Sequence, residues 1–141
     1  MKNRRESREE VFALLFEWSF KEDENMAEIA ENAVMARGVS LSKFSHLLLE
    51  TAESNMEDID QTIEKYSDNW KINRISRVGL ASLRLALCEL MYFEDIPPGA
   101  TINEAVELAK KYGSDDDSSF VNGILGNYVR TELPDKVEEE V

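Results

Sequence analysis

Apolar side chains recur along this chain at three- and four-residue intervals, the spacing of amphipathic helices, and no segment alternates as a strand would. The first such series is Val11, Leu14, Leu15 and Trp18. Just ahead of it, Ser7-Arg8-Glu9-Glu10 has a serine followed three positions later by a glutamate, as in a capping box. The pattern therefore predicts a first helix that begins near Ser7.

Glycine and polar residues divide the rest of the first half into further helices. A second helix is predicted over about residues 27–36, with Gly38 as its stop. A third helix begins after Ser40 and either runs long or breaks near Ser54-Asn55. These segments make the first half helical throughout.

Four helical elements are predicted after a junction at Asp68-Asn69. A short helical turn around Trp70 and Ile72 comes first, followed by a helix over about residues 77–93. This helix is apolar nearly all round and should therefore be central. The next is expected to open at Thr101-Ile102-Asn103-Glu104, a second capping box. The last should begin amid Ser114-Asp115-Asp116-Asp117, because acidic residues complement the positive end of a helix.

Together these elements predict an all-α fold of about seven helices in two packed subdomains. The three-helix N-terminal subdomain is expected over residues 1–67, the four-helix C-terminal subdomain over 68–131, and an acidic tail over 132–141. No apolar run approaches the roughly 20 residues that cross a bilayer, and the basic start lacks the apolar segment of a secretory signal. We therefore expect a cytoplasmic protein that contacts no membrane.

The chain lacks the residues that common catalytic and metal sites need. It has one cysteine, Cys88, within an apolar run that favours burial, and one histidine, His46. These cannot supply the usual zinc geometries, and the three aspartates at 115–117 lack the alternating spacing of a calcium loop. Arg84 and Glu89 interrupt the most apolar helix, and we expect each to pair with a neighbouring helix. The sequence therefore predicts no catalytic residue, no metal and no cofactor, and a protein that works by binding.

Charge limits what the chain can bind. The formal net charge is −13, so the protein body repels nucleic acid at long range. The basic residues are unevenly placed, because Lys2, Arg4, Arg5 and Arg8 all fall within the first eight positions. An RNA site would therefore need this local patch, helped by a basic partner.

Three segments, in this order and spacing, resemble the NusB family of bacterial transcription antitermination factors. They are Arg4–Trp18, then Leu83–Leu90 with Ile96-Pro97, and finally residues 102–113 (INEAVELAKKYG) with Ser118–Leu125. The resemblance covers nearly the whole chain and implies an all-α protein that catalyses no reaction. It further implies that the chain binds boxA-type single-stranded RNA of ribosomal RNA transcripts together with NusE, a small-subunit ribosomal protein. The pair would join a complex that keeps RNA polymerase from terminating.

The resemblance also implies RNA contacts at two places. They are Lys2, Arg4, Arg5, Arg8 and Phe16 near the start, and Asp116, Ser118, Phe120 and Asn122 at the opening of the last helix. If Ser7 caps the first helix, Arg4 and Arg5 lie in an arm before a helix N-terminus, where N–H and guanidinium groups favour phosphate. Phe12 and Phe16 could stack on bases, or both could belong to the core. The sequence leaves these two alternatives open.

A partner surface is implied at the start of the central helix. Its residues are Asn73, Arg77, Gly79 and Leu80. Family members commonly carry acidic residues near positions 73 and 79, so Asn73 and Gly79 predict a weaker or differently arranged contact with basic NusE. The alternative function is a helical protein-interaction module of the same fold without an RNA role of its own. Whether the free protein is a monomer or a homodimer is left open.

Overall fold

The computed structural model describes residues 3–38 and 40–136. Within these ranges it contains seven α-helices and one short 3₁₀ helix. The α-helices are α1 (Arg4–Trp18), α2 (Met26–Arg37), α3 (Lys43–Ser54), α4 (Met56–Tyr66), α5 (Arg77–Tyr92), α6 (Pro98–Tyr112) and α7 (Asp115–Glu132). The 3₁₀ helix (Ile72–Arg74) lies between α4 and α5. The prediction of an all-α fold with about seven helices is confirmed.

The start of α1 differs from the prediction. Asn3 is its N-cap, and the Asn3 side chain accepts a hydrogen bond of 2.8 Å from the Glu6 backbone N–H. Ser7 lies one turn further on and is buried, with its Oγ 2.7 Å from Ser42 Oγ. The predicted start at Ser7 is therefore wrong, because Asn3 offers a capping oxygen one turn earlier.

The start of α6 is also earlier than predicted. Pro97 is the N-cap and Pro98 is the first helical residue, a position that suits proline because its missing N–H would have no helical partner. Thr101 lies inside the helix, is buried, and donates from Oγ1 to Glu89 Oε1 at 2.9 Å. The predicted capping box at Thr101 is therefore wrong.

Other predicted boundaries are confirmed. Gly38 ends α2 in the left-handed conformation (φ 66°), which glycine adopts without steric cost. Helix α3 does break at Asn55, and Ser114 caps α7 by accepting from the Asp117 N–H at 3.1 Å. At the junction, Asp68 and Asn69 have φ values of 55° and 65°. Aspartate and asparagine tolerate this region better than most residues, so they reverse the chain before the 3₁₀ helix.

Helix α5 is the centre of the fold. Residues 79–90 are all buried, and the helix packs against α1, α3, α4, α6 and α7. One continuous apolar core joins all seven α-helices, so the predicted division at residues 67 and 68 stays a prediction. Cys88 belongs to this core, and burial raises the pKa of its thiol to about 12, which makes it an inert small hydrophobe.

The two buried charged residues of α5 pair with other helices, as predicted. Arg84 is fully buried and donates two hydrogen bonds of 2.9 Å to the Asp60 carboxylate of α4. Glu89 accepts bonds of 2.7 and 2.8 Å from the Arg8 guanidinium of α1. These pairs fix how α1 and α4 sit on α5, because a buried charge without its partner costs several kcal/mol.

The predicted acidic tail begins at the end of the last helix. Helix α7 continues to Glu132, where Leu133 caps it, and residues 137–141 of the predicted acidic tail lie outside the described residues. Among residues 3–38 and 40–136, no helix has the length and apolar character needed to cross a bilayer.

Candidate nucleic-acid interface

Two of the predicted RNA-binding arginines lie in the first turn of α1. Arg4 places its guanidinium 4.5 Å from the centroid of the Phe44 ring. Arg5 donates from Nε and Nη2 to Glu104 of α6 at 3.0 to 3.3 Å, yet its side chain is 71% exposed. Since α1 begins at Arg4, these residues are part of the helix and not of an arm before it. They still stand beside free N–H groups of a helix N-terminus, a setting that attracts anions.

Arg8 does not share this setting. It is only 6% exposed, and both Nε and Nη2 are bonded to Glu89. Arg8 is therefore paired with a carboxylate of α5 and is not a free cation, and its predicted contact with RNA stays a prediction. Lys2, the other predicted cation of this region, lies outside the described residues.

Four aromatic rings lie in a row between α1 and the end of α6, and we call them the aromatic strip. They are Phe20, Phe16, Phe12 and Tyr112. Centroid separations along the row are 5.1, 6.5 and 5.3 Å. Phe12 is buried, Phe16 is half-buried, and Phe20 and Tyr112 are 58% and 48% exposed. Phe12 is therefore a core residue, whereas Phe16 lies at the boundary between core and surface.

The aromatic strip lines a groove of about 490 Å³. Its other lining residues are Glu9, Ala13, Glu17, Lys21, Arg37 and Val78. A cation stands over each outer ring, since Arg77 lies 4.9 Å from the Phe20 centroid and Lys111 lies 5.2 Å from that of Tyr112. Exposed rings can stack on bases while cations neutralise phosphates, so this groove has the chemistry of a single-strand binding site.

Glu9 links α1 to the end of α6 at one side of the groove. Its carboxylate accepts hydrogen bonds from Lys111 Nζ at 2.9 Å and from the Tyr112 hydroxyl. These bonds hold the pKa of Glu9 below its ordinary value and raise the pKa values of Tyr112 and Lys111. The contact orients the Tyr112 ring toward the groove.

Several residues of the groove were missed by sequence reasoning. Phe20 continues the four-residue spacing of Phe12 and Phe16, and that spacing could have identified it. Tyr112, Lys111 and Arg37 come from other helices, so no local pattern in α1 points to them.

The opening of α7 carries the second predicted set. Asp116 and Asn122 are exposed, and Ser118 is half-buried with its Oγ donating to the Asp115 carbonyl at 2.9 Å. Phe120 packs against Trp70 with centroids 6.1 Å apart. Positions 118 and 120 lie about 200° apart around a helix, so Phe120 does not share a face with Ser118 or Asn122.

The two predicted sets lie at opposite ends of α6. Arg5 bonds to Glu104, whereas the turn into α7 follows Tyr112, which is about 12 Å further along the helix axis. The groove adjoins that turn, because Val78 lines the groove and lies against Gly113 of the turn. A Cβ atom placed on Gly113 would come within 3.0 Å of Val78 Cγ1. The structure therefore does not gather the predicted residues in one cluster, and the groove lies beside the second set.

Only two of the four predicted partner residues are accessible. Asn73 and Arg77 are exposed, and Arg77 donates to the Ser19 carbonyl beneath Phe20. Gly79 and Leu80 are buried, and their predicted contact with a partner stays a prediction. Ser76 caps α5, because its Oγ accepts a hydrogen bond of 3.0 Å from the Gly79 N–H. In the helix that follows this cap, residues 79 and 80 belong to the core.

Comparison with known proteins decides the family. A model of the NusB family matches residues 5–130. The chain belongs to the NusB family. The transcription antitermination protein NusB of Alkaliphilus oremlandii is 45% identical over 131 residues, which cover 92% of this chain and 95% of that protein.

Solved NusB structures share the fold. NusB of T. maritima superposes with a TM-score of 0.85 at 34% identity, covering 97% of this chain and 98% of that chain. A crystal structure of the antitermination factors NusB and NusE in complex with dsRNA superposes with a TM-score of 0.81 at 29% identity, covering 91% and 96%. The family match extends from α1 to α7, so the aromatic strip and the opening of α7 both lie within it.

Proposed function

We propose that this chain is an RNA-binding transcription antitermination factor that catalyses no reaction. It binds boxA RNA of ribosomal RNA transcripts together with NusE and joins the complex that keeps RNA polymerase from terminating. The relative from Alkaliphilus oremlandii named for antitermination supports this role, as does the superposition on a complex of NusB, NusE and RNA. Binding to nascent transcripts would place the protein in the bacterial cytoplasm.

The groove along the aromatic strip carries this proposal. Arg4, Arg5 and Lys111 would neutralise phosphates, and the exposed parts of Phe16, Phe20 and Tyr112 would stack on bases. A strand that follows the groove from the start of α1 reaches the turn into α7. In a body of charge −13, cations and exposed rings lie together along this groove.

Residues at the opening of α7 would supply selectivity more than affinity. The Asp116 carboxylate can accept hydrogen bonds from exocyclic amines of bases but repels phosphate. Asn122 can both donate and accept, and Ser118 adds a hydroxyl group. Phe120 would act indirectly, because it packs against Trp70 on another side of α7. Lys2 remains a proposed phosphate contact from the sequence.

NusE would bind beside the RNA groove. Asn73 and Arg77 line a second groove of about 550 Å³, together with Lys71, Ile72 and Phe20. Phe20 lines both grooves and Arg77 lies over its ring, so a partner in this groove would touch the end of the aromatic strip. A basic partner would also offset the negative charge of the body, and this offset would favour RNA binding.

The decisive experiment is a titration of boxA RNA with the double variant Arg4→Ala, Arg5→Ala across a range of salt concentrations. We expect affinity to fall about tenfold and the slope of log K against log salt to decrease by about 1.4, the loss of two phosphate contacts on a single strand. Lys65→Ala with Arg130→Ala removes the same charge from exposed positions and serves as the matched control. An equal loss in the control, or unchanged binding by the Arg4, Arg5 variant, would contradict the proposed site and favour an interaction module without an RNA role.

A second titration tests the partner. RNA binding should tighten when NusE is added, and Asn73→Asp should increase that gain, because a carboxylate attracts a basic partner, while leaving the binding of RNA alone within about twofold. Equal RNA affinity with and without NusE would count against a shared surface.

A further inference from the structure

A second apolar groove lies on a different part of the molecule, between α2 and α3. We call it the α2–α3 groove, and its apolar wall consists of Met26, Ala30, Val34, Met35, Leu41 and Leu49. Its volume is about 580 Å³. None of its lining residues lines the groove of the aromatic strip. It is therefore separate from the proposed RNA site.

The α2–α3 groove exposes apolar surface that the fold itself does not cover. Met26, Ala30 and Leu49 form a nearly buried floor, whereas Val34 is 40% exposed and Met35 is 85% exposed. Methionine side chains are flexible and polarisable, so they adapt to apolar surfaces of different shape. An apolar ligand of matching width would gain free energy by covering these side chains.

The rim of the groove is acidic on both sides. Glu31 stands on α2, and Glu50 and Glu53 stand on α3, with His46 beside them. The Glu53 carboxylate accepts a hydrogen bond from the Met26 backbone N–H at 3.0 Å, and Glu31 on α2 and Glu50 on α3 are exposed. No lysine or arginine is among the described residues that line it.

These features select the kind of ligand. Phosphates of a nucleic acid would be repelled by the rim, and a second copy of this chain brings another charge of −13. An amphipathic helix satisfies both parts of the groove, because its apolar face can lie on the floor while lysines or arginines along its edges reach Glu31 and Glu50. We infer that the α2–α3 groove binds a basic, amphipathic helical segment of a partner protein.

The inference can be tested with the full chain and a synthetic helix of about 15 residues that carries leucine at helical spacing and lysine along both edges. Binding of the labelled peptide is measured by fluorescence anisotropy. Glu31→Lys with Glu50→Lys should raise the dissociation constant about tenfold. The control, Asp95→Lys with Glu107→Lys, changes the net charge equally at exposed positions away from the groove, and it should change binding by less than about twofold.

Further arms separate apolar contact from general charge attraction. Met35→Ser should weaken binding at high salt, where surface charge is screened. A peptide with glutamate in place of lysine should bind more than tenfold more weakly than the lysine peptide. Circular dichroism checks that each variant is folded.

Three outcomes would overturn the inference. One is an equal loss of peptide binding in both charge variants, which would mean that the peptide is attracted by the overall charge of the protein. Another is binding that is insensitive to Met35→Ser. The third is a change in sedimentation of the free protein on Glu31→Lys with Glu50→Lys, which would make this face a contact between copies of the chain. Since the probe contains no RNA, failure here would leave the proposed antitermination role untouched.

Discussion

Arg5 and Arg8 show how differently one residue type is used within a single helix turn. Arg5 is largely exposed and bonds Glu104, whereas Arg8 is buried against Glu89, 81 positions further along the chain. The sequence predicted that Glu89 needs a partner on another helix but could not say which one. Local composition made the two arginines equivalent, and only the packing of α1 on α5 separates them.

The buried pair should be essential to stability. Arg8→Ala leaves the Glu89 carboxylate buried without its cation, so we expect a loss of roughly 3–5 kcal/mol in the free energy of unfolding. Replacing both residues, Arg8→Met with Glu89→Leu, removes the uncompensated charge and should cost much less. Urea unfolding measures both changes. A loss below about 1 kcal/mol for Arg8→Ala would contradict the structural role, since exposed ion pairs contribute that little.

Arg5 should respond to a change in its carboxylate partner. Glu104 holds the guanidinium with two-pronged geometry, so an RNA phosphate has to compete with it. Glu104→Gln should therefore tighten boxA RNA binding about two- to fivefold at low salt, in line with the modest strength of exposed ion pairs. Glu107→Gln, on the same helix, is the control and should have a smaller effect. If both variants behave alike in a fluorescence titration, Arg5 does not contact phosphate.

At the scale of helices, periodicity located the elements but not all their starts. The starts predicted at Ser7 and Thr101 were wrong because they relied on the capping-box signature, which also occurs inside helices. Both side chains lie inside their helices and are buried. A capping residue ahead of each, Asn3 and Pro97, decides the true start. The aromatic strip could be predicted only in part, because α1 and the turn after it supply three rings and α6 supplies the fourth.

The contact between α1 and α6 should depend on pH. The pKa of Glu9 lies below its ordinary value of 4.5. The stability that the ionised Glu9 contributes to folding is therefore present above pH 4.5 and is lost as the pH falls through the lowered value. The pKa of Tyr112 lies above 10.0, so its share is present below pH 10 and is lost as the pH rises through the raised value. Both groups therefore stabilise the contact across the neutral range.

Tyr112→Phe keeps the ring and removes the bond to Glu9. We expect its melting temperature to be roughly 1–4 °C below that of the wild type between pH 6 and 9, the effect of one exposed polar contact. The difference should shrink toward pH 3 as Glu9 becomes protonated. A constant difference from pH 3 to 7, measured by thermal circular dichroism, would mean that the contact does not involve the ionised carboxylate.

At the scale of the whole molecule, the charge distribution sets out two kinds of surface. The body carries −13, and cations gather around the aromatic strip, whereas the α2–α3 groove is lined by carboxylates without lysine or arginine among the described residues. Fold class and family could be predicted from the sequence because the helical pattern and the three family segments span nearly all of it. The α2–α3 groove could not, since its two walls meet only in the folded chain.

If RNA binds at the aromatic strip, acidic residues elsewhere should weaken RNA binding only by long-range electrostatic repulsion. Glu31→Gln with Glu50→Gln removes two charges from the α2–α3 groove. We expect RNA affinity to rise about two- to threefold near 0.01 M salt, where the screening length is about 30 Å, and to be unchanged near 0.15 M, where it is about 8 Å. Phe16→Ala should instead cost roughly 1–3 kcal/mol of binding at both salt concentrations, because stacking is not screened. An equal gain from the glutamine variant at both concentrations would place RNA in direct contact with α2 or α3 and would move the binding site away from α1 and α6.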